Sequence, residues 1–463
     1  MGSLKKGALD IFDVKGASDW QIFQQKDGRA DIALSGAIHM PDYEDPQLHT
    51  IIRMVREDSF CPATRNTEWR KTDSYDGKSK FEHCFCDIPC GGLYRIEIGV
   101  SSDPALQSFR MLRTIHSLGV GDLWVIAGQS NASGIGRGAV VDPPELGAHI
   151  LRNDEQWALA MHPLNENTDS FHANNDEGCP QHSPYLAFAK NLKNELGWPI
   201  GLIQTSLGGS PLSRWNPAEN GDLYANMIYC SKLAGGRVKG VLWYQGCSDT
   251  NFENSESYGE RFKHFVDCVR KDLSDPDLPF VTTQINRAQR NDEASNPFWD
   301  KVRETQRRLA EEISNLALVP TGGLPLSDTI HNSAAGNLEL AARYARTVLG
   351  MLYGRDIEWK YPNIRQITKQ SSNQLLMEFD NVSSLMTSIS MSTEALTVED
   401  CEGVVLIESF QPGENGTLLL TLARDLKGPA CVSSGCGCDA RTSLYDFHEH
   451  RPALAFARIK VEE

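Results

Sequence analysis

The chain has 463 residues, 40% hydrophobic and 8% aromatic. That is material for a sizeable core and, at about 150 residues per domain, for about three domains. A formal charge of −16 disfavours nucleic acid and anionic membrane surfaces as partners, and no run of about 18 apolar residues offers a membrane span.

The N-terminus, Met1-Gly-Ser-Leu-Lys-Lys-Gly-Ala, lacks the apolar stretch of a signal peptide, so a cytoplasmic location is expected. From Trp20 to Val100, short alternating runs are broken by turns. Asp27-Gly28 lies between Trp20-Gln-Ile-Phe and Asp31-Ile-Ala-Leu, as in a β-hairpin. Asp76-Gly77 and Cys90-Gly91-Gly92 punctuate further strands, and residues 1–116 are predicted to form a β-sandwich module. The cysteines of this region, Cys84-x-Cys86-x3-Cys90, lack the paired CxxC spacing of structural zinc sites, as do Cys436-x-Cys438 near the other end. His83, His448 and His450 stand close to these clusters. Free thiols in a reducing compartment are the expectation, with no metal and no other cofactor.

The rhythm changes over residues 117–355. Continuous apolar runs at 123–127, 200–204, 238–244 and 280–284 alternate with helical periodicity at 183–196, 257–273, 299–313 and 334–349. Strands without alternation, interleaved with amphipathic helices, predict a parallel sheet covered on both faces. Ligands in such folds lie beyond the carboxyl ends of the strands. Residues 141–181 are polar, without a clear period after Met161, as in a functional lid or surface decoration. Residues 356–463 return to β character and are predicted to form a C-terminal β-rich module, either separate or packed with the N-terminal one.

The candidate chemistry begins where the run Leu123-Trp-Val-Ile-Ala127 stops at Gly128 and Gln129-Ser130-Asn131 follows. A strand ending in glycine presents Ser130 at the mouth of the sheet, where an acyl carbon has an open path to its hydroxyl. A serine nucleophile needs an imidazole to take its proton and a carboxylate to fix that imidazole. Asp328-x-x-His331, just before the helix predicted at 334–349, supplies both. Asp169-x-x-His172 has the same spacing but lies in the long polar segment, without a rigid element to hold it. Acyl transfer also needs donors for an oxyanion. Gly208 and Gly209 follow one predicted strand and expose backbone N–H groups. Gln245 ends the next and places an amide at the sheet edge.

Gly-Gln-Ser-Asn at 128–131, Gly-Gly-Ser-Pro at 208–211, Trp-Tyr-Gln-Gly at 243–246 and Asp-x-x-His at 328–331 occur in that order. As a set they resemble the blocks of SGNH hydrolases, in the sialate O-acetylesterase and carbohydrate acetylesterase branch. Gly121-Asp-Leu-Trp, Leu212-Ser-Arg-Trp215, Leu223-Tyr-Ala-Asn-Met-Ile228 and Gly91-Gly-Leu-Tyr-Arg-Ile agree with that branch, so the likeness covers roughly residues 18–350. It implies a three-layer α/β/α, flavodoxin-like catalytic domain with additional β-sandwich modules. It further implies Ser130 as nucleophile, His331 as base, Asp328 as its orienting acid, and Gly208, Gly209 and Gln245 as oxyanion donors. Gln129, Asn131, Arg214 and Trp215 are implied substrate contacts. Two residues depart from the pattern. Cys247 stands where the branch usually has glutamate, so either Asp328 carries the acid role or the enzyme works as a Ser130–His331 dyad, and Ala132 replaces a usual methionine.

The resulting expectation is a metal-independent serine esterase that removes acetyl groups from acetylated mono- or oligosaccharides. Acetylxylan or acetylmannan esterases and aryl or lipid esterases of the same superfamily are the alternatives; the polar 141–181 segment speaks against a lipid lid. No Gly-x-Ser-x-Gly is present to suggest an α/β-hydrolase. From another class, a non-catalytic glycan-binding protein with a decayed hydrolase core is the alternative, and the intact Ser130, Asp328 and His331 argue against decay.

Overall fold

One 19-residue strand, Arg110–Gly128, organises the molecule. Its first half alternates in burial and pairs antiparallel with Gly91–Ser101, which pairs in turn with His49–Arg56. From Leu118 onward every residue is buried, and this half lies parallel between Ile200–Gln204 and Gly240–Tyr244. Burial on both faces is why the apolar run there shows no alternation. The computed structural model describes residues 10–39, 47–57, 66–76, 80–166, 172–176, 180–289, 293–441 and 443–463.

In the central sheet the order is Trp157–Leu159, Ala148–Leu151, Ile200–Gln204, Arg110–Gly128, Gly240–Tyr244, Phe280–Thr283, Leu316–Val319. All neighbours are parallel except the first pair. The helices are α1 (Ser130–Ser133), α2 (Tyr185–Leu196), α3 (Asp222–Leu233), α4 (Phe252–Asp272), α5 (Asn296–Glu312) and α6 (Ala334–Tyr353). Two tryptophans on opposite faces of the sheet mark the outer layers. Trp124 meets Phe188 of α2 edge-on, and α2 packs on α6 through Phe188 and Tyr344. Trp243, whose register partner is Ala127, packs on Phe265 of α4 with ring centroids 4.7 Å apart. The order of strands reverses at Arg110–Gly128, because the chain leaves it first toward Ala148–Leu151 and later returns past it to Gly240–Tyr244. The crevice at the carboxyl end of that strand is the place where such folds bind ligands.

Four predicted helices appear as α2, α4, α5 and α6, with ends shifted by a few residues. α3 escapes periodicity because it is buried nearly all round: Leu223, Tyr224, Asn226, Met227, Ile228, Cys230 and Ser231 are all inside. The Asp27-Gly28 turn forms with both residues at positive φ (52° and 80°), as a type I′ turn requires. The hairpin around it does not. Only Lys26 and Arg29 bridge across the turn, and Ile22–Gln24 leaves to pair parallel with the long strand. The polar 141–181 stretch contributes two short strands to the sheet edge, Ala148–Leu151 and Trp157–Leu159.

The amino-terminal strands enclose their own core, including Ile32, Phe81, Phe85, Ile96 and Ile98. Residues after Asn363 form three further sheets around another, with Ile367, Met377, Val398 and Leu420. That carboxyl-terminal layer braces α5: Arg303 donates to the carbonyls of Gly435 and Gly437 at 3.3 and 2.7 Å, and also to that of Ile285. No helix among the described residues is long and apolar enough to cross a membrane.

His149, in the strand Ala148–Leu151, is fully buried. Its Nδ1 lies 2.7 Å from the Trp20 carbonyl and its Nε2 accepts the Gly147 N–H at 3.3 Å, a pairing only the neutral ring satisfies. Burial lowers its pKa from 6.5 to about 4. The unfolded chain therefore binds a proton below pH 6.5 that the native fold refuses until about pH 4. This contribution to stability is intact above pH 6.5 and is lost as pH falls, by on the order of 3 kcal/mol at pH 4. Urea unfolding at pH 7 and pH 4 should show a smaller acid loss in His149→Gln than in the wild type. Equal losses would contradict this assignment.

Candidate active site

At the end of the long strand, Gly128 adopts φ 126° and a Cβ there would lie 2.3 Å from the Tyr244 carbonyl oxygen. Only glycine permits that approach of two backbones. It turns the chain so that Ser130 opens α1. Gln129 donates its N–H to the same Tyr244 carbonyl at 2.9 Å, while its side-chain Oε1 accepts the N–H groups of Gly246 and Ser248 at 3.0 and 3.3 Å. Asn131 reaches the other way. Its Oδ1 accepts the Asn332 N–H at 2.9 Å and its amide donates to the Ile330 carbonyl at 3.4 Å. The two residues beside the serine thus tie it to both loops that surround it.

The second of those loops carries Asp328 and His331. Asp328 Oδ1 accepts the N–H groups of Ile330 and His331 at 2.9 and 2.8 Å, which curls the loop into a tight turn. Its Oδ2 lies 2.7 Å from His331 Nδ1, and His331 Nε2 lies 2.8 Å from Ser130 Oγ, 201 residues away in sequence. Burial raises the Asp328 pKa, but the Ile330 N–H, the His331 ring and the His331 N–H outweigh it and hold the carboxyl below its ordinary value. An ionised Asp328 fixes Nδ1 as the protonated nitrogen and leaves Nε2 as the acceptor facing the hydroxyl.

These groups line a cavity of about 770 Å³ together with Gln129, Gly208, Gly209 and Cys247. The N–H groups of Ser130 and Gly209 have no acceptor among the described residues, whereas Gly208 donates its N–H to Asp176 Oδ2 at 2.8 Å. Two charged residues of the wall, Arg137 and Asp176, carried no sequence signal: Arg137 follows the nucleophile segment in an irregular loop, and Asp176 lies in the polar stretch without a period.

Four expected site residues are placed outside the cavity lining. Gln245 is fully buried and turned from the cavity; its amide donates to the Ser210 carbonyl at 3.2 Å and to Asp249. In this placement it braces the site, and its amide does not line the cavity. Trp215 is fully buried, with its indole N–H on Ser210 Oγ at 3.0 Å, and offers no face to a sugar. Arg214 is committed to Asp222, its Nη2 2.6 Å from Oδ2, and does not line the cavity. Asn131 likewise serves as a tie and not as a wall. Of the alternative pair, Asp169 lies outside the described residues, and His172 Nε2 stands 3.2 Å from Glu155.

The other titratable cluster lies outside the cavity lining. Asp142 Oδ2 is 2.8 Å from His162 Nε2 and 3.2 Å from His182 Nε2, while Lys190 Nζ is 2.5 Å from Oδ1. The ammonium group already balances the one carboxylate, and a dication would be repelled by it. The cluster latches the polar stretch to α2 and to Gly136, whose N–H donates to the His182 carbonyl.

Comparison with known proteins gives the family and the fold. Residues 120–350 match the family described as carbohydrate esterase, sialic acid-specific acetylesterase. A probable carbohydrate esterase of Arabidopsis thaliana is 32% identical over 252 residues, covering 49% of this chain and 90% of that protein. The chain belongs to this carbohydrate esterase family. The esterase also matches the sialate O-acetylesterase of Homo sapiens, 24% identical over 219 residues, but that match spans only 39% of the human protein. In fold it resembles a carbohydrate acetylesterase from Xanthomonas citri with a TM-score of 0.65 at 16% identity, over 95% of this chain and 97% of that one. The SGNH-type α/β/α layer with added β-sheets is therefore the architecture of this esterase.

Proposed function

We propose that this protein is a carbohydrate O-acetylesterase that works through an acetyl-Ser130 intermediate. The observation that carries the reading is the hydrogen-bonded series Asp328, His331, Ser130 opening into one cavity. His331 Nε2 takes the Ser130 proton as Oγ attacks the acetyl carbon, and Asp328 holds Nδ1–H and stabilises the imidazolium that forms. The N–H groups of Ser130, Gly208 and Gly209 receive the developing oxyanion. The carbon–oxygen bond to the sugar breaks, and the sugar hydroxyl leaves with the proton from His331. Water, deprotonated by the same nitrogen, then attacks acetyl-Ser130 and releases acetate.

An acetylated saccharide is favoured over a lipid ester because Gln129, Arg137, Asp176, Ser248 and Asn251 set polar and charged groups into an otherwise largely apolar cavity wall, a combination suited to a sugar carrying an acetyl group. Side-by-side assay of acetylated sialic acid, xylan, mannan and simple acetylated sugars, with a long-chain ester as control, separates these classes. Exclusive turnover of the long-chain ester would overturn the saccharide assignment. For the triad itself, Asp328→Asn is expected to lose about 10²-fold or more in kcat on an aryl acetate, with KM little changed. Asp169→Asn should stay near wild type. Equal effects of the two variants would remove Asp328 from the role given to it.

A further inference from the structure

A serine esterase gains much of its rate from N–H groups already aimed at the oxyanion. Of the three such groups at this cavity, one is taken. Asp176 Oδ2 accepts the Gly208 N–H at 2.8 Å. The carboxylate also lies over the glycine itself: a Cβ on Gly208 would stand 2.7 Å from Oδ2 and 3.3 Å from Oδ1. Asp176 is 5% exposed and lines the same cavity as Ser130 and His331.

The position is built, because a chain of buried amides holds the residues just before Asp176. Asn174 donates to Asn153 Oδ1 at 2.8 Å and accepts from Asn226 of α3 at 3.0 Å, and Arg214 donates to the Ala173 carbonyl at 3.4 Å. Asn153 in turn donates to Asn165 Oδ1 at 2.6 Å. These contacts anchor the polar segment to the helical layer beside Gly208, two residues before Asp176.

We propose that Asp176 gates the oxyanion site: in the resting enzyme its carboxylate occupies the Gly208 N–H, and the acyl oxygen must displace it to be stabilised there. This rests on the esterase reading above. A negative oxygen developing beside a fixed carboxylate is opposed by like-charge repulsion, so the gate must open for turnover. Arg214, which a sugar-binding role does not explain, becomes part of the device, since it fixes the backbone that carries Asp176.

Steady-state hydrolysis of an aryl acetate by the full chain tests this, together with the rate at which an aryl phosphonate, whose P=O needs the same N–H groups, modifies Ser130. Asp176→Ala should raise both kcat/KM and the phosphonylation rate about tenfold, the worth of one charge-assisted hydrogen bond at the low end. Asp176→Asn, which keeps the shape and removes the charge, should raise both by less. Asp176→Glu should not raise either. If the alanine variant does not fold, the asparagine variant carries the test alone. Folded variants that equal or fall below wild type in both rates would overturn the gate. Such a result, with wild type active and Ser130→Ala inactive, leaves the esterase reading standing; activity equal in wild type and Ser130→Ala would overturn that reading instead.

Discussion

Replacing Ser130 by alanine is expected to lower acetate release by about 10⁴-fold or more, with the fold unchanged. The hydroxyl is the one atom at the site able to form a bond to the acetyl carbon while within 2.8 Å of His331 Nε2. Removing it cancels the acyl-enzyme route and leaves only whatever the cavity and its N–H groups do for direct attack by water. The methyl group that remains fits without strain, because Ser130 sits at the helix start with its backbone set by Gly128 and its neighbours set by Gln129 and Asn131. Stability should therefore change by well under 1 kcal/mol, so a loss of activity reads as chemistry. Retained activity would mean that another nucleophile serves.

The second large effect falls on stability. Asp249 is fully buried, and its carboxylate accepts from the Leu212 N–H at 3.0 Å, from the Gln245 amide and from Arg261 at 3.4 Å. Burial pushes its pKa up against these three donors. It joins the turn after Gly208-Gly209 to the end of Gly240–Tyr244, and so holds two of the loops that shape the cavity. Asp249→Ala leaves the buried Leu212 N–H without its acceptor and the Gln245 amide with only the Ser210 carbonyl, while Arg261 keeps its bidentate pair with Glu219. The expected cost is about 2–4 kcal/mol in urea unfolding, from the buried donors left without that carboxylate, accompanied by loss of activity from the displaced turn. Asp249→Asn keeps one acceptor oxygen and should cost clearly less. A cost under 1 kcal/mol for the alanine variant would show that the turn is held by other means.

Much of this site is legible in the residues because the physics is local. A buried apolar run ended by Gly128 announces a strand that must turn sharply. Asp328 and His331, three apart before a helix start, can be joined by a single turn. What the residues do not disclose is the direction in which a side chain points once its strand ends. Gln245 and Ser130 both follow central parallel strands, yet Gln245 turns back to Asp249 while Ser130 faces the cavity. Trp215 shows the same ambiguity, since an aromatic ring that stacks on a sugar and one that fills a core look alike in sequence. Asp176 and Arg137 are illegible for another reason: both sit on irregular backbone, that before Asp176 held by Asn153, Asn165, Asn174 and Asn226 through contacts 12 to 52 residues apart, that of Arg137 by the Ala334 N–H on its carbonyl. The hairpin at Asp27-Gly28 failed because the turn chemistry is local, whereas the partner of Ile22–Gln24 is a strand nearly one hundred residues on.

Labelling the protein with a fluorophosphonate and mapping the adduct by peptide mass spectrometry goes straight to the convergence on which the rest depends. A single adduct on the peptide that contains Ser130, its formation slowed about 10²-fold or more in His331→Ala, is the expected result. An adduct on a different residue of the active protein, or labelling of Ser130 indifferent to the loss of His331, would contradict it.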